Sequence, residues 1–245
     1  LYEVCIFLKD VPEALAKATK VLANANANIK TGAIFDVPEY PRIRFWSTFV
    51  EISNVAKGIE GLVEELRKLD VVEDVRFAEP KPLPFEILHF PTLYVTTRAL
   101  VWPIGNFWAL WDAIEEILKP SGAAVLHYNT GKRVGERVTK TLMKIFGVEG
   151  MDLILAVRQA VQTTGWGLVE FRELDLKRHR GTIIIKECFE ALAWREKPYK
   201  TCHWSRGYIA GVANVIFGIP MKAEEVKCLA TGDEHCEFRV EPERP

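Results

Sequence analysis

Apolar positions in the first eighty residues switch between two periods. Val4, Ile6 and Leu8 alternate within Leu1–Leu8, as the inward face of a half-buried strand does. Asp10-Val11-Pro12 then signals a helix start, and Ala14, Leu15, Ala18, Val21 and Leu22 follow helical spacing. Ile29–Phe35 and Ile43–Ile52 are rich in strand formers, and the intervening Asp36-Val37-Pro38-Glu39-Tyr40-Pro41 suits a hairpin loop. Ile59, Leu62, Val63 and Leu66 mark a second amphipathic helix, and Val71–Phe77 a last strand. The order is βαββαβ, which predicts a ferredoxin-like antiparallel sheet with both helices on one face.

The pattern breaks at residues 79–91, where prolines stand at 80, 82, 84 and 91. Prolines remove backbone donors and favour extended geometry, so neither a helix nor a central strand is expected there. The boundary is placed at about residue 82, giving modules 1–80 and 85–245. In the second, Phe107, Trp111, Ile114 and Leu118 have helical spacing, and Lys119-Pro120-Ser121-Gly122 is expected to end that helix. Ala123–Leu126 reads as a short strand. Val134, Val138, Leu142 and Ile145 predict a helix stopped at Gly147, and Leu153, Val157 and Val161 another stopped at Gly165. Trp166–Leu174 and Thr182–Ile185 read as a strand pair joined by the basic turn Lys177-Arg178-His179-Arg180. A small-residue helix, Tyr208–Phe217, precedes a hairpin of Met221–Ala230 and His235–Glu241 around Thr231-Gly232-Asp233-Glu234. The whole is an α+β chain of two modules, the second mixed α/β, with no repeat relating them.

Composition narrows the function classes. Lys and Arg total 32 against 33 Asp and Glu, without segregation along the chain, which argues against nucleic acid or an anionic membrane as partner. Apolar runs such as Ile183–Ile185 are too short to span a bilayer, and nothing resembles a secretory leader, so a cytoplasmic location is expected. Sparse glutamine, Gln159 and Gln162, hints at a thermophilic source. G-x-S-x-G and P-loop spacings do not occur. Gly165-Trp166-Gly167 opens a strand, not the helix a dinucleotide fingerprint needs. His89, His127, His179, His203 and His235 show no helical metal-pairing interval.

The five cysteines carry more information. An odd number does not suggest a disulfide framework, and three of them, Cys202, Cys228 and Cys236, cluster near the C-terminus. Cys228 and Cys236 flank the hairpin turn symmetrically about Gly232, so they can face each other across adjacent strands. Cys202 precedes the small-residue helix and can supply a third thiolate. In a regular strand Glu224 has the parity to complete the set and Glu225 does not; a bulge would reverse that choice.

Two family resemblances extend these readings. Asp10-x-Pro12-x-x-Leu15 with Asn28-Ile29 makes residues 1–80 resemble an ACT domain, the amino-acid-sensing regulatory module. That implies dimerisation, with an amino acid as a further ligand. Amino-acid-binding members usually have Gly after the proline; here Glu13 puts a side chain where the ligand would approach. Cys202, Arg206-Gly207, Gly211, Gly218, Glu225-x-x-Cys228 and Gly232-x-x-x-Cys236-x-Phe238 resemble the C-terminal half of the 4-vinyl reductase domain family. Weaker matching, including Gly131 and Gly135, extends back to about residue 85. The resemblance implies a structural zinc held by Cys202, Glu225, Cys228 and Cys236, with no open coordination position and hence no catalysis by the metal.

It also implies a small-molecule pocket. The second module holds Trp102, Trp108, Trp111, Trp166, Trp194 and Trp204. Phenol-responsive relatives place a His and a Trp in the pocket, where alignment on Gly167 and Gly181 puts Thr163 and Ile185, so an apolar or aromatic ligand other than phenol is expected. His127, Tyr128, Trp166 and Trp111 are the candidate ligand contacts. The expected function is that of a homodimeric regulatory or sensory protein. The alternatives are an enzyme acting on a tetrapyrrole vinyl group and a ligand-free scaffold.

Overall fold

Along the first strand Val4, Ile6 and Leu8 are buried against helical residues such as Ala18, Leu22, Leu62 and Leu66, as expected of an inward face, but Glu3 and Cys5 on the other face are buried as well, so the strand is not half-buried there. The computed structural model describes residues 1–36, 40–79, 93–94, 97–194 and 198–243. It divides into two compact units, Leu1–Val101 and Trp102–Pro245. The boundary expected near residue 82 and the centre of the loop after Asp36 lie outside the described residues.

The first unit runs β1 (Tyr2–Lys9), α1 (Ala14–Asn24), β2 (Asn28–Asp36), β3 (Ile43–Glu51), α2 (Gly58–Arg67) and β4 (Val72–Ala78), followed by the short pair β5 (Leu93–Tyr94) and β6 (Thr97–Arg98). The four long strands form an antiparallel sheet in the order β2-β3-β1-β4. Buried residues of α1 and α2 share one core cluster with Val4, Ile6, Val50 and Val75 of the sheet. Glu13, next to the β1–α1 turn, pairs with Lys17 at 3.2 Å on the surface.

The second unit opens with α3 (Ile104–Phe146) and continues with α4 (Gly150–Thr163), β7 (Leu168–Asp175), β8 (Arg180–Lys186), α5 (Phe189–Ala193), α6 (His203–Phe217), β9 (Met221–Lys227) and β10 (Cys236–Pro242). The strands make an antiparallel sheet ordered β7-β8-β10-β9. One expectation is corrected here and one holds. Ala123–Leu126 is not a strand but lies in helix. Helical geometry does break within Lys119–Gly122: Lys119 stands at φ 61° and ψ 163°, and a second helix starts at once with Pro120 at its first position. A proline there loses no hydrogen bond that the helix would otherwise make. Four apolar residues in a row cannot by themselves distinguish strand from buried helix.

Packing beyond the break explains why the chain stays helical. Ala123, His127, Gly131, Gly135 and Thr139 are buried at intervals of four and form one ridge of α3. Gly131 and Gly135 lie against the backbone of Trp204 and Tyr208 in α6, and Gly207 and Gly211 of α6 lie against the backbone of Tyr128 and Lys132 in α3. A Cβ on Gly131 would lie 2.1 Å from the carbonyl oxygen of Trp204, and one on Gly211 2.0 Å from that of Lys132. This crossing fixes the start of α6, on which the candidate site is built.

Candidate functional site

Cys202 is the N-cap residue of α6, and Cys228 and Cys236 stand at the facing ends of β9 and β10. The hairpin register positions the next candidate ligand. Glu237 pairs with Lys227, but Phe238 pairs with Glu225, so Val226 is an extra residue on β9. This bulge reverses the strand's parity. Glu225 is thereby buried at 6% exposure, while Glu224 faces solvent. The choice left open by a regular strand is thus made by one inserted residue.

One ligand atom from each of Cys202, Glu225, Cys228 and Cys236 lies within 4.8 Å of the others, and all four residues are buried. Cys202 Sγ is 3.9 Å from Cys228 Sγ and 3.6 Å from Cys236 Sγ. A tetrahedral ion with sulfur bonds of about 2.3 Å needs ligand sulfurs roughly 3.8 Å apart. Glu225 Oε2 accepts the Cys202 backbone N–H at 3.1 Å, whereas Oε1 is buried with no hydrogen-bond partner. An orphaned carboxylate oxygen beside three thiols is the donor set a metal ion would complete.

The electrostatics agree. Burial, reinforced by Cys228, pushes the Glu225 carboxyl up to about 9, and burial also pushes the Cys202 thiol up. Cys228 moves the other way because Cys202 and Cys236 hydrogen-bond to its sulfur. Without a cation, Glu225 and Cys202 resist ionising while Cys228 does not; a divalent cation would favour the charged form of all of them. Two residues that sequence spacing did not single out join this neighbourhood: Cys188, whose Sγ lies 3.8 Å from Cys202 Sγ, and Glu190. Glu190 accepts the backbone N–H groups of Trp204 at 2.9 Å and Ser205 at 2.7 Å, capping α6, while burial raises its pKa to about 8. Neither has a spacing signal, because they reach the site from the short α5 segment.

Beside this cluster, α4, α6 and the β7–β8 pair border a partly open cavity of about 90 Å³ lined almost wholly by apolar side chains. One water needs roughly 10–15 Å³, so the space suits an organic ligand. Trp166 lines it, and so do Trp204, Tyr208 and Phe189, which the sequence pattern does not assign to a pocket. Their rings pack together: Trp166 meets Trp204 edge-on at 4.9 Å, and Trp204 stacks on Tyr208 at 5.5 Å. Ile185 is in the wall; Thr163 is not, its hydroxyl bonding instead to the Gln159 carbonyl. Trp111 and His127 line a separate cavity with Glu190 and His203, their rings 5.3 Å apart. Tyr128 lies under the Arg206 guanidinium at 4.9 Å and lines neither.

Comparison with known sequences bears on this half of the molecule. Residues 182–242 match the V4R domain. That stretch, about a quarter of the chain, runs from β8 through the bulged hairpin and so includes all four candidate metal ligands. An uncharacterized protein of Methanocaldococcus jannaschii is 26% identical over 122 residues, which are 50% of this chain and 66% of that protein, just under two thirds of its length. Among solved structures, the phenol-responsive sensory domain of the transcription activator PoxR, bound to phenol, superposes with a TM-score of 0.54 at 17% identity, covering 60% of this chain and 77% of that one. A vinyl-4-reductase family protein from M. jannaschii gives 0.46 at 19% identity over 60% of this chain and 85% of its own. The likeness to the PoxR domain is one of fold. Among the described residues, no helix is long and apolar enough to cross a membrane.

Proposed function

We propose that the V4R-containing unit is a sensory module that binds a small, largely apolar ligand in the cavity between α4, α6 and β7–β8. The observation that carries this is the cavity itself: space walled by tryptophan and aliphatic side chains that belong to, or pack against, the core of this unit. The sensory role of the similarly folded PoxR domain, whose ligand is phenol, supports the reading. This wall has isoleucine at position 185, so the ligand differs from phenol in its polar contacts. Zinc held by Cys202, Glu225, Cys228 and Cys236 would tie the β9–β10 hairpin to the start of α6; it supplies structure and leaves no position for substrate. Ligand and metal then share one element, because α6 carries both Cys202 and the wall residues Trp204 and Tyr208.

Residues 1–80 serve, in this proposal, as an ACT-like, ferredoxin-like module that makes the chain a homodimer, with residues 85–245 as the ligand-binding part of a cytoplasmic regulator. The strand order β2-β3-β1-β4 with two helices on one face supports the ACT-like reading. Dimerisation is preferred to amino-acid sensing because Glu13 occupies the position where a ligand would need bare backbone.

The test is a titration of the zinc-loaded full chain with toluene and with decanol, followed by tryptophan fluorescence. Saturable quenching is expected, and Ala213→Phe, which places a ring in the cavity, should abolish it while the circular dichroism stays unchanged. Absence of saturable binding by either compound would overturn the reading.

A further inference from the structure

The space that holds Trp111 and His127 is separate from the cavity between α4, α6 and β7–β8, and its chemistry is different. Helix α3 contributes Trp111, Ala123, Ala124 and His127 to its wall, and the chain from α5 into α6 contributes Glu190, Trp194 and His203. The cavity is partly open, about 300 Å³ in volume, and polar atoms as well as carbon face it. That volume stands at the lower end of small-molecule pockets.

Its charged groups are already engaged. Glu190 is buried and accepts the backbone N–H groups of Trp204 and Ser205, one on each oxygen. Glu115 accepts the Tyr199 hydroxyl at 3.0 Å, and the Lys200 ammonium donates to the Glu225 carbonyl oxygen at 2.9 Å. His127 is different. It is 9% exposed and lines the cavity, yet among the described residues its imidazole has no hydrogen-bond partner. Trp111 meets that ring edge-on at 5.3 Å, a contact that satisfies neither nitrogen. Buried polar side chains are normally paired, so an unpaired one at a cavity wall points to a partner that arrives from outside. Burial lowers the His127 pKa, and the neutral ring keeps one nitrogen as an acceptor.

These features describe an occupant. An ion would be desolvated here without a free counter-charge to meet it. Among the described residues, the one group of three or more side chains placed to share a metal ion is that of Cys202, Glu225, Cys228 and Cys236, so this space is not a metal site. Aromatic walls beside the small Ala123 and Ala124 leave room for a flat ring, and the free acceptor calls for a donor. We propose that this cavity is a second ligand site, which takes an uncharged planar aromatic molecule bearing a ring N–H, its ring packed among Trp111, Trp194 and the two alanines and its N–H donated to His127. Thr201 and His203, which flank Cys202, also line the space, so the occupant rests against the chain segment that leads into the metal site. The proposal goes beyond the apolar ligand cavity and does not depend on it.

The experiment titrates the zinc-loaded full chain carrying Ala213→Phe, in which the other cavity is filled, with indole and with N-methylindole by isothermal calorimetry at neutral pH. One indole per chain should bind, about fivefold more tightly than N-methylindole, which lacks the donor. His127→Phe in the same background keeps an aromatic ring and should remove that difference. Ser121→Phe, on the exposed rim of the cavity, should block both probes without disturbing buried packing. Zinc content and circular dichroism serve as controls for folding. Absence of saturable indole binding would mean that His127 is met by water alone and would overturn the proposal. Equal affinity of the two probes, or a preference for indole that survives His127→Phe, would overturn it as well.

Discussion

Replacing Gly207 by alanine would place a methyl carbon 2.0 Å from the Tyr128 carbonyl oxygen, 2.8 Å from its carbon and 3.0 Å from the Lys132 nitrogen. All three obstacles are backbone atoms of α3, so no side chain can rotate away. Ordinary contact begins near 3.4 Å, and the helices would have to part by more than 1 Å. A gap of that size forfeits a quarter to a half of each contact's attraction along the crossing. Overpacking of this kind costs about 1–3 kcal/mol and sometimes more, and a backbone clash belongs at the upper end. Alanine's better helix propensity returns about 1 kcal/mol, leaving a net loss of about 2 kcal/mol or more. Gly105→Ala supplies the control: its new Cβ meets nothing within 4 Å, so propensity alone predicts a gain of up to about 1 kcal/mol. Urea denaturation of the zinc-loaded chain, followed by tryptophan fluorescence, measures both. Six of the seven tryptophans belong to the second unit, so the signal reports the unit that holds the crossing. If Gly207→Ala proved as stable as Gly105→Ala, the close helix crossing and the site geometry built on it would be refuted.

Three more expectations rest on particular residues. Glu225→Gln should weaken zinc binding more than about tenfold in competition with a chromogenic chelator, whereas Glu224→Gln, on the solvent side of the bulge, should leave it unchanged; equal effects would mean the bulge is misassigned. Stripping the metal with a chelator should lower amide-exchange protection of the β9–β10 hairpin while Val4 and Leu66 in the first unit keep theirs; structural zinc contributes about 10–16 kcal/mol in small domains. Burial lowers the His127 pKa below its ordinary 6.5, opposed by Glu115. Between the lowered folded value and 6.5 the unfolded chain binds more protons, so this group's contribution to stability is complete above pH 6.5 and is lost as pH falls below it. His127→Gln should flatten the acid-side decline of unfolding free energy, and an unchanged slope would contradict the burial.

Periodicity made most elements legible: β1 through β4, α1, α2, α4 and the C-terminal hairpin emerge from alternation, helical spacing and turn residues. It failed where two tendencies compete. Ala123–Leu126 is uniformly apolar, so the pattern has no period to read, and the helix is settled by the ridge that packs on α6. The fourth metal-site donor could not be chosen by parity, because a one-residue bulge at Val226 leaves no mark in composition. Cys228 and Cys236 were readable from their symmetry about Gly232, yet Cys188 and Glu190 join the same neighbourhood only through tertiary packing. The cavity was the least legible part. Trp166 lines it, but Trp111 and His127 sit in another space, since a tryptophan count does not say which aromatic faces which helix.

A zinc-pinned ligand-binding unit is tested most directly by what the intact protein carries. Native mass spectrometry of the purified full chain, before and after mild denaturation, reports subunit number, metal and retained small molecules together. One zinc per chain and an organic mass released on unfolding are predicted, in a dimer. A well-folded protein carrying neither metal nor small molecule would contradict that central claim.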